Sequence, residues 1–448
     1  MSEIRGKHVT VLGAARSGIA VAQLLARKGA RVFLSEIAPL KDKREEAEVL
    51  TSTGIPFEFG GHTSRIMDAD WWVVSPGICQ SSSVLQKAKE KGIPVWGELE
   101  VSSWFCRAPI VGVTGSNGKS TVTALLGEVF RWAERPCVVA GNIGQPFSEC
   151  VESAVVEGVA VLEVSSFQLE TVQSFHPKVA VFLNLTPDHL DRHGCMDTYG
   201  RIKSRIFENQ TDSDYLVFNV LDPKVAELAR RARSQRVVFG MEEDSMGCGF
   251  LRQEVLTLRL QERDEEILSI HEMGIRGDHN VANALAVALT ARLMGVDLQP
   301  IRQAFRTFRG LPHRMEFIRV VNGVEWVNDS KATNVDSVWY ALGSFSSPII
   351  LIAGGRDKDA DFGRLRERVG KEVRGIVLFG EAAEKMEKAF RGLQPLVKVP
   401  SLKNAVQKAR EMAEPGDVVL LSPGCTSFDM FRNFEDRGEQ FKALVGQL

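Results

Sequence analysis

Residues Val111–Thr121, VGVTGSNGKST, join an apolar run typical of a buried strand to a glycine-rich loop and the polar start of a helix. Gly115 and Gly118 let backbone N–H groups approach an anion closely, and Lys-Ser-Thr follows at 119–121. This order predicts a strand, a phosphate-binding loop and a helix whose positive end faces the phosphate. The stretch departs from the general triphosphate loop, G-x-x-x-x-G-K-[ST], because position 113 is valine.

Strand-length apolar runs alternate with amphipathic helix patterns throughout the 448-residue chain, beginning with HVTVLG at 8–13. This alternation predicts α/β domains with parallel sheets and helices on their faces. At roughly 100–200 residues per domain we expect three domains, with bounds at 1–104, 105–310 and 311–448. Residues 248–275 carry short alternating runs rich in charge, which predict an antiparallel flank.

The composition is ordinary for a globular protein, with 44% hydrophobic and 25% charged residues. A formal net charge of −2, without long blocks of like charge, argues against nucleic-acid binding. Seven cysteines, an odd number with no C-x-x-C pair, argue against a disulfide framework or zinc site and favour the cytoplasm. The sequence has no apolar signal core and no run approaching ~18 apolar residues, so we expect no membrane insertion.

The loop GAARSG at 13–18 follows the first predicted strand and opens a helix. It resembles a dinucleotide fingerprint, except that position 15 is alanine, and Glu36 stands where a ribose-binding acid would be expected. Three interpretations follow: a nicotinamide dinucleotide site, a nucleotide or its diphosphate at the helix N-terminus, or a tight turn that needs glycine only for its backbone.

Polar residues also follow the predicted strands of the central segment. Glu163 ends an apolar strand at the edge that carries the phosphate loop, where a carboxylate is a natural Mg²⁺ ligand. NLTPDHLDRHG at 184–194 brings two aspartates and two histidines to that edge, where we expect ligand or substrate contact: Asp188, His189, Asp191 and His193. Lys203, on a predicted helix at 197–209, is by itself an ordinary surface lysine.

Three loops of the last segment show the same arrangement. NDSKATN at 328–334 and AGGRDKDADF at 353–362 each follow an apolar strand and each bring aspartate and lysine. LLSPGCTSFDMFRNFEDRG at 420–438 ends the last predicted strand with hydroxyls and leads into an aromatic-rich helix. Ligand-type loops at strand ends in all three segments predict a site shared between domains.

Taken together, these motifs resemble the Mur ligase family. TGSNGKST, GNIG, LEVSSFQLE, NLTPDHLDRH, HNVANALA, GLPHR, NDSKATN and GGRDKDADF occur in order through nearly the whole chain. SSFQLE and the 420–438 stretch are similar to the D-glutamate-adding branch, and the Asp-Asn-Pro-Arg pattern of the diamino-acid-adding branch is not found. The family loop, T-G-[ST]-[NK]-G-K-[ST], accounts for valine at 113.

The resemblance implies a Rossmann-like N-terminal domain that holds the UDP of a substrate, a central P-loop-type mononucleotide-binding domain and a Rossmann-like C-terminal domain. It implies an ATP-dependent ligase that adds D-glutamate to UDP-N-acetylmuramoyl-L-alanine through an acyl phosphate. That reaction belongs to cytoplasmic synthesis of peptidoglycan precursors, and so to cell-wall biogenesis, cell shape and division. We expect ATP, two Mg²⁺ ions and a carbamate on Lys203, small-molecule partners only, and a monomer.

The resemblance also assigns residues to roles. The catalytic group is Lys119, His189, Lys203 and Arg314. The ATP group is Gly115, Ser116, Asn117, Gly118, Lys119, Ser120, Thr121, Asn280, Asn283, Arg314, Asp329 and Lys331. The UDP-substrate group is Arg16, Ser17, Ser35, Glu36, Ile37, Gly77, Asn142 and Ser165. The D-glutamate group is His189, Thr333, Lys358, Ser427, Phe428 and Phe434. The metal group is Ser120, Glu163, His189 and carbamylated Lys203.

Two assignments stay open within the resemblance. His189 is expected either to bind a metal ion or to orient the acyl phosphate. Arg356 stands where some relatives have aspartate, and Asp357 is then the local substitute.

Three other functions compete with this interpretation. Another ligase of the superfamily, such as a folylpolyglutamate synthase, would share the ATP loop but would not need the N-terminal UDP-binding domain. A P-loop switch or motor would need a partner-binding surface and a hydrolytic aspartate after a hydrophobic strand. An NAD-dependent dehydrogenase is disfavoured by Ala15 and by the second glycine loop.

Overall fold

A computed structural model describes residues 4–142, 144–243, 247–260, 263–345, 347–357 and 360–448. The chain forms two compact units, one of Met1–His271 with Ala282–Phe305 and one of Glu272–Val281 with Arg306–Leu448. Two sheets lie in the first unit and one in the second. The α/β fold class predicted from the sequence is confirmed. Among the described helices, none combines the length and apolarity that crossing a bilayer requires.

The first sheet is parallel throughout. Its strands are β1 (His8–Leu12), β2 (Arg31–Glu36), β3 (Phe57–Phe59), β4 (Trp71–Val74) and β5 (Val95–Gly97), and its helices are α1 (Arg16–Arg27), α2 (Arg44–Ser52), α3 (Ser83–Glu90) and α4 (Glu98–Ser103). The strand order is β3-β2-β1-β4-β5. The chain order therefore reverses between β1 and β4, and sheets of this kind bind ligands beyond the carboxyl ends of such strands.

The second sheet has a parallel body and an antiparallel flank. Its strands are β6 (Ile110–Thr114), β7 (Cys137–Gly141), β8 (Val159–Glu163), β9 (Val179–Phe182), β10 (Tyr215–Asn219), β11 (Gln235–Phe239), β12 (Gly249–Arg252), β13 (Val255–Leu260) and β14 (Arg263–Ser269). The order is β14-β13-β12-β11-β10-β9-β6-β8-β7. The pairs β12–β13 and β13–β14 are antiparallel, which confirms the flank predicted over 248–275.

Helices flank this sheet and connect its strands. They are α5 (Lys119–Trp132), α6 (Phe147–Cys150), α7 (Ser166–Leu169), α8 (Leu190–His193), α9 (Met196–Ser204), α10 (Pro223–Ala229), α11 (Asp278–Leu293) and α12 (Leu298–Thr307). The helix predicted at 197–209 is shorter than expected, because α9 ends at Ser204 and a 3₁₀ turn follows at Arg205–Phe207. The Arg205 guanidinium bonds the carbonyls of Leu169 and Glu170, which ties that turn to the end of α7.

The third sheet forms the core of the second unit. Its strands are β15 (Glu316–Val321), β16 (Val324–Asn328), β17 (Ile349–Gly354), β18 (Val373–Phe379), β19 (Leu396–Lys398) and β20 (Val418–Leu421), and its helices are α13 (Val335–Leu342), α14 (Arg366–Glu372), α15 (Ala383–Phe390), α16 (Leu402–Met412) and α17 (Phe434–Gly446). The order is β15-β16-β20-β17-β18-β19, with only β15 antiparallel to its neighbour. The central strands are buried on both faces, which explains their uninterrupted apolar runs.

Two buried glutamates of α4 join the first sheet to the second. Glu98 Oε1 accepts the backbone N–H of Ser148 at 2.7 Å. Glu100 accepts the backbone N–H groups of residues 173–175 at 2.9, 2.9 and 3.0 Å and the Trp104 indole at 3.0 Å. These bonds help to hold both sheets in one compact unit, and the division of that unit at residue 104 stays a prediction.

Hydrogen bonding also sets the ionisation of Glu100. Burial by itself would raise the pKa of the Glu100 carboxyl, but the hydrogen bonds from Ser174, Gln173 and Trp104 outweigh it, and the pKa lies below its ordinary value. The carboxylate is therefore the form that the folded protein prefers.

We expect Glu100→Gln to lower the free energy of unfolding by about 2 kcal/mol near neutral pH, because an amide NH₂ would face backbone donors. Since folding lowers the pKa of Glu100, its stabilisation is present above the unfolded pKa of about 4.3 and is lost as pH falls through the folded pKa. Urea unfolding at about pH 7 and about pH 3 should show the difference shrinking in acid. Exposed Glu90→Gln is the control, and an equal loss at both pH values would contradict the prediction.

Candidate active site

The phosphate loop leaves β6 and is shaped by the segment after β9. Gly118 has φ +87°, and a Cβ there would lie 2.5 Å from Asn283 Oδ1, so the loop geometry requires glycine. Ser116 Oγ donates to the Thr186 carbonyl at 2.9 Å, and Asn117 N–H donates to Asn184 Oδ1 at 2.8 Å. Helix α5 begins at Lys119, so the loop stands at its positive end as predicted. Asn184 and Thr186 shape the loop, a role that sequence reasoning missed.

Two lysine amines share one acceptor inside this loop. Lys119 Nζ lies 2.8 Å from the carbonyl oxygens of Gly115 and Ser116, and Lys203 Nζ lies 2.8 Å from that of Gly115. Lys203 is only 1% exposed, and its amine lies 4.8 Å from the Tyr199 ring centre. Lys203 is therefore a buried group of the site.

Burial, reinforced by the charge of Lys119, lowers the pKa of the Lys203 amine well below its ordinary value, although Asp188 and Glu163 act in the opposite direction. This environment therefore favours the neutral amine, which is the nucleophilic form of lysine, relative to an exposed lysine.

Glu163 ends β8 beside the phosphate-loop strand, in register with Val113. It is 2% exposed, and its Oε1 accepts the Asn142 side-chain amide at 3.0 Å. Its Oε2 is buried and makes no hydrogen bond within the described part of the chain. A buried carboxylate oxygen without a partner is costly, and a hard cation would satisfy it. Asn142, predicted for the UDP-substrate, thus also orients Glu163.

The two histidines of the 184–194 segment have different surroundings. His189 has φ +52°, its side chain is 42% exposed, and it lies 3.6 Å from Asp188 Oδ2 and 4.8 Å, centre to centre, from the Phe167 ring. His193 is buried, with Nε2 3.0 Å from Ser166 Oγ. Only His189 is accessible to a ligand. The Asp191 side chain lies outside what the structure describes.

The loop at 13–18 is closed by Glu36. The buried Glu36 carboxylate accepts the Ala14 N–H at 2.6 Å on one oxygen and the Ala38 N–H at 2.8 Å on the other. Gly13 has φ +97°, and a Cβ there would lie 2.7 Å from Ser75 Oγ. Glu36 therefore organises this loop directly, and its contact with a substrate stays a prediction.

The other predicted UDP-substrate residues differ in accessibility. Ser35 is buried and donates to Glu58 Oε1 at 2.6 Å, and exposed Arg16 donates to the Gly144 carbonyl at 2.8 Å. The remainder are exposed or half-buried: Ile37, Gly77 and Asn142 are exposed, and Ser17 and Ser165 are half-buried.

In the second unit, Asp329 follows β16 at the carboxyl edge of the third sheet. Its Oδ2 accepts the Ser422 hydroxyl at 2.8 Å, and its Oδ1 accepts the Met315 N–H at 3.2 Å. Burial raises the pKa of Asp329 to about 7, against the opposing influence of Ser422 and of the Arg314 charge. Near neutral pH this carboxyl therefore exchanges its proton readily.

Three further residues of the predicted ATP group lie in α11 and in the loop after β16. Asn280 and Asn283 are buried in α11, and the Asn280 amide donates to the Arg276 carbonyl at 2.8 Å. The Lys331 amine lies 5.6 Å from the centre of the Phe434 ring.

The predicted D-glutamate residues lie in loops at the carboxyl edge of the third sheet. Thr333 follows β16, Ser427 and Phe428 follow β20, and Phe434 begins α17. The Gly424 N–H donates to the Ala332 carbonyl at 2.8 Å, which joins the first two loops. Phe428 is 58% exposed and Ser427 is buried. Lys358 lies outside the described residues.

The two residues whose roles stayed open, Arg356 and Asp357, are both engaged within the second unit. Arg356 pairs with Glu381 at 3.1 Å. Asp357 accepts the Lys385 amine at 2.5 Å and the Ala360 N–H at 2.9 Å. The Asp357 carboxylate therefore shapes its own loop.

Sequence reasoning missed Arg437, which joins two of these loops. It is fully buried and donates to the Ser330 hydroxyl and carbonyl at 2.9 and 2.8 Å and to the Cys425 carbonyl at 3.1 Å. Burial lowers the pKa of Arg437 to about 10. No local pattern indicates burial of this residue, because its neighbours in FEDRGEQF are largely polar.

Comparison with known families places three models along the chain. The MurD N-terminal domain matches residues 8–84, the Mur ligase middle domain matches 113–291, and the Mur ligase, glutamate ligase domain matches 313–425.

Curated relatives match over the full length. The UDP-N-acetylmuramoylalanine–D-glutamate ligase of Salinibacter ruber is 45% identical, with 100% of this chain and 99% of the relative covered. The enzyme of the same name from Pelotomaculum thermopropionicum is 41% identical, with 99% and 98% covered.

Solved structures share the fold. The UDP-N-acetylmuramate-alanine ligase of Thermotoga maritima has a TM-score of 0.61 at 18% identity, covering 98% of this chain and 99% of that one. FolC of E. coli, in complex with DHPP and ADP, has a TM-score of 0.59 at 17% identity, covering 78% and 92%.

We expect Gly118→Ala to weaken binding of an ATP analogue by about 10- to 100-fold, because a left-handed residue at that position is strained and its Cβ would displace Asn283. Calorimetric titration measures the affinity. Gly370→Ala is the matched control, since its Cβ would lie 3.8 Å from Leu393, an ordinary contact. Unchanged affinity in Gly118→Ala would show that this loop does not hold the nucleotide.

Proposed function

This chain belongs to the Mur ligase family, and we propose that it joins D-glutamate to UDP-N-acetylmuramoyl-L-alanine with ATP as the energy source. One observation carries the proposal: relatives named for this reaction are 41–45% identical along nearly the whole of both chains. The phosphate loop, the buried lysine and the acidic strand end supply the groups that such a reaction needs.

An amide does not form directly from a carboxylate, because a carboxylate is a poor acyl donor to an amine. Its oxygen first attacks the γ-phosphorus of ATP, ADP leaves, and an acyl phosphate results. The D-glutamate amine then attacks the acyl carbon, inorganic phosphate leaves with the C–O bond electrons, and the amine loses a proton. Lys119 and Arg314 offset the charge of the transferring phosphoryl group, and the N-terminal end of α5 adds a positive field.

The residues at the carboxyl edge of the second sheet fit Mg²⁺. Glu163 Oε2 is a buried oxygen in need of a cation, and Asn142 fixes the other carboxylate oxygen. Ser120 stands at the start of α5 and supplies a hydroxyl. Across the described stretches, no cluster of three or more His, Cys, Asp or Glu is arranged to hold a metal. The site therefore needs a further oxygen donor, and bound Mg²⁺ would offset phosphoryl charge.

We assign that donor to a carbamate on Lys203 and assign two Mg²⁺ ions to the site. The neutral Lys203 amine attacks CO₂, a C–N bond forms, and one proton is released to solvent. The product is an anion with two oxygens beside Glu163 and the Lys119 amine. Burial, which disfavours the ammonium form, thus favours the form that reacts.

The remaining roles follow the positions of the loops. His189, exposed beside Phe167 and Asp188, either ligates a metal or orients the acyl phosphate. The switch-point loops of the first sheet bind the UDP moiety, and residues of the second unit receive D-glutamate: Thr333, Lys358, Ser427, Phe428 and Phe434. We place the reaction in the cytoplasm, with small-molecule partners and a monomeric enzyme.

A folylpolyglutamate synthase activity is the second candidate, and the likeness to FolC supports it only at the level of fold. Full-length identity to D-glutamate ligases and the match to the MurD N-terminal domain favour the first candidate.

The purified protein should release phosphate from MgATP only when UDP-N-acetylmuramoyl-L-alanine and D-glutamate are both present, because the acyl phosphate needs one and its resolution needs the other. In separate assays, L-glutamate replaces D-glutamate, or a folate with glutamate replaces both substrates. Neither substitution should support phosphate release. A coupled phosphate assay measures the rate. ATP hydrolysis at the same rate with and without D-glutamate would contradict the proposal.

Lys203→Ala should lower activity by at least about 100-fold, since an oxygen ligand of the metal is lost. Short carboxylates such as acetate should restore part of it. Labelled ¹³CO₂ should give a carbamate NMR signal in the parent protein and none in the variant. Lys224→Ala, at a largely exposed lysine paired with Asp197, is the control. Wild-type activity in Lys203→Ala would rule out the carbamate role.

A further inference from the structure

Arg192 lies between the two histidines of the 184–194 segment, and no step described above uses it. Its guanidinium donates to both Glu170 oxygens, from Nε at 3.0 Å and from Nη2 at 2.5 Å. The arginine and glutamate side chains are 12% and 9% exposed. A bidentate pair as buried as this one is specific in geometry and holds the guanidinium plane in one orientation.

The same guanidinium reaches across to the first sheet. Nη1 donates to the Gly77 carbonyl at 3.3 Å, and Nη2 donates to the Ile78 carbonyl at 3.1 Å. These carbonyls belong to the loop after β4, on one side of the switch point where β1 and β4 diverge. The loop after β4 is therefore hydrogen-bonded directly to α8, a helix that flanks the second sheet.

Arg192 also contacts the surroundings of His189. Its guanidinium carbon lies 4.2 Å from the centre of the Phe167 ring, and that ring lies 4.8 Å from the ring of His189. Phe167 is thus a neighbour of both the arginine and the accessible histidine. A shift of the loop after β4 would move Arg192, and with it the support of His189.

We propose that Arg192 is a positioning residue that couples the UDP-substrate loop at Gly77–Ile78 to the placement of His189. The proposal rests on the function proposed above. The three guanidinium nitrogens of Arg192 lie in one plane and donate to a carboxylate and two carbonyls at the same time. A lysine amine, with a single nitrogen, cannot make all of these hydrogen bonds. Binding of the UDP-sugar keeps the loop, and with it the Gly77 and Ile78 carbonyls, in place. The guanidinium, held by these carbonyls and by Glu170, then supports Phe167 and His189 for phosphoryl transfer.

The test is steady-state kinetics of Arg192→Lys, which keeps the charge and removes the fork. We expect KM for UDP-N-acetylmuramoyl-L-alanine to rise about tenfold and kcat to fall about 10- to 100-fold, since a small misplacement of a reacting group is costly. KM for ATP should stay within about twofold, because the hydrogen bonds described for Arg192 go to Glu170, Gly77 and Ile78. Arg192→Ala should behave likewise and regain part of its kcat with added guanidinium ion.

Arg135→Lys is the matched control. Arg135 also uses its guanidinium to bond backbone carbonyls, those of Glu157, Gly158 and Met294 at 3.2, 3.1 and 2.6 Å, but it lies before β7, at the amino edge of the sheet. We expect this variant to lose thermal stability while both KM values stay at the parent level. Glu170→Gln, which keeps the carbonyl contacts of Arg192, should shift the same two parameters by a smaller factor.

An unchanged KM for the UDP-substrate in Arg192→Lys would overturn the proposal. A lower active fraction and melting temperature, with both KM values at the parent level, would also overturn it, because that result indicates a role in stability alone. Calorimetric titration of the parent protein with the UDP-substrate distinguishes failure of the Arg192 proposal from failure of the proposed function. A parent protein that neither binds nor converts that substrate would overturn the proposed function and the role of Arg192 with it.

Discussion

The carbonyl oxygen of Gly115 accepts hydrogen bonds from the amines of Lys119 and Lys203, each at 2.8 Å, and the chemistry of the site depends on this shared contact. Burial deprives the Lys203 amine of water, and the charge of Lys119 adds to this effect, so the pKa of the Lys203 amine lies well below its ordinary value. The same edge of the sheet carries the buried Glu163 Oε2, which makes no hydrogen bond within the described part of the chain. Both observations support the carbamate and the Mg²⁺ proposed above.

The parallel arrangement of the strands brings these groups of the site together. The phosphate loop, Glu163 and the 184–194 segment all follow strands that run side by side in one direction, so their ends meet at one edge. Side chains hydrogen-bond their neighbours at that edge and so fix the local geometry. Asn184, Thr186 and Asn142 each use a hydrogen bond to fix the direction of a neighbour. Preorganisation of this kind costs nothing when the substrate arrives.

Buried charged side chains join separate segments at several places in the described part of the chain. Glu100 joins α4 to the loop at 173–175, Arg192 joins the loop after β4 to α8, and Arg437 joins two loops of the second unit. In each case several backbone groups bond one ionised side chain. A hydrophobic contact tolerates sliding, whereas a fork of directed hydrogen bonds does not. These three connections are therefore held by buried charges.

The sequence by itself determined the α/β class, many of the parallel strands, the phosphate loop and the family, because these depend on local periodicity and on glycine positions that a loop cannot do without. Lys203 had its role by resemblance alone, since its burial depends on a contact with Gly115, 88 residues away. Only the tertiary structure decided that Glu36 closes its own loop, that α9 stops at Ser204, and that Arg192 and Arg437 are interior. The reason is physical. The sequence around a charged residue looks the same whether its side chain is exposed or buried, and the free-energy cost of burying the charge is offset only by partners that are distant in sequence.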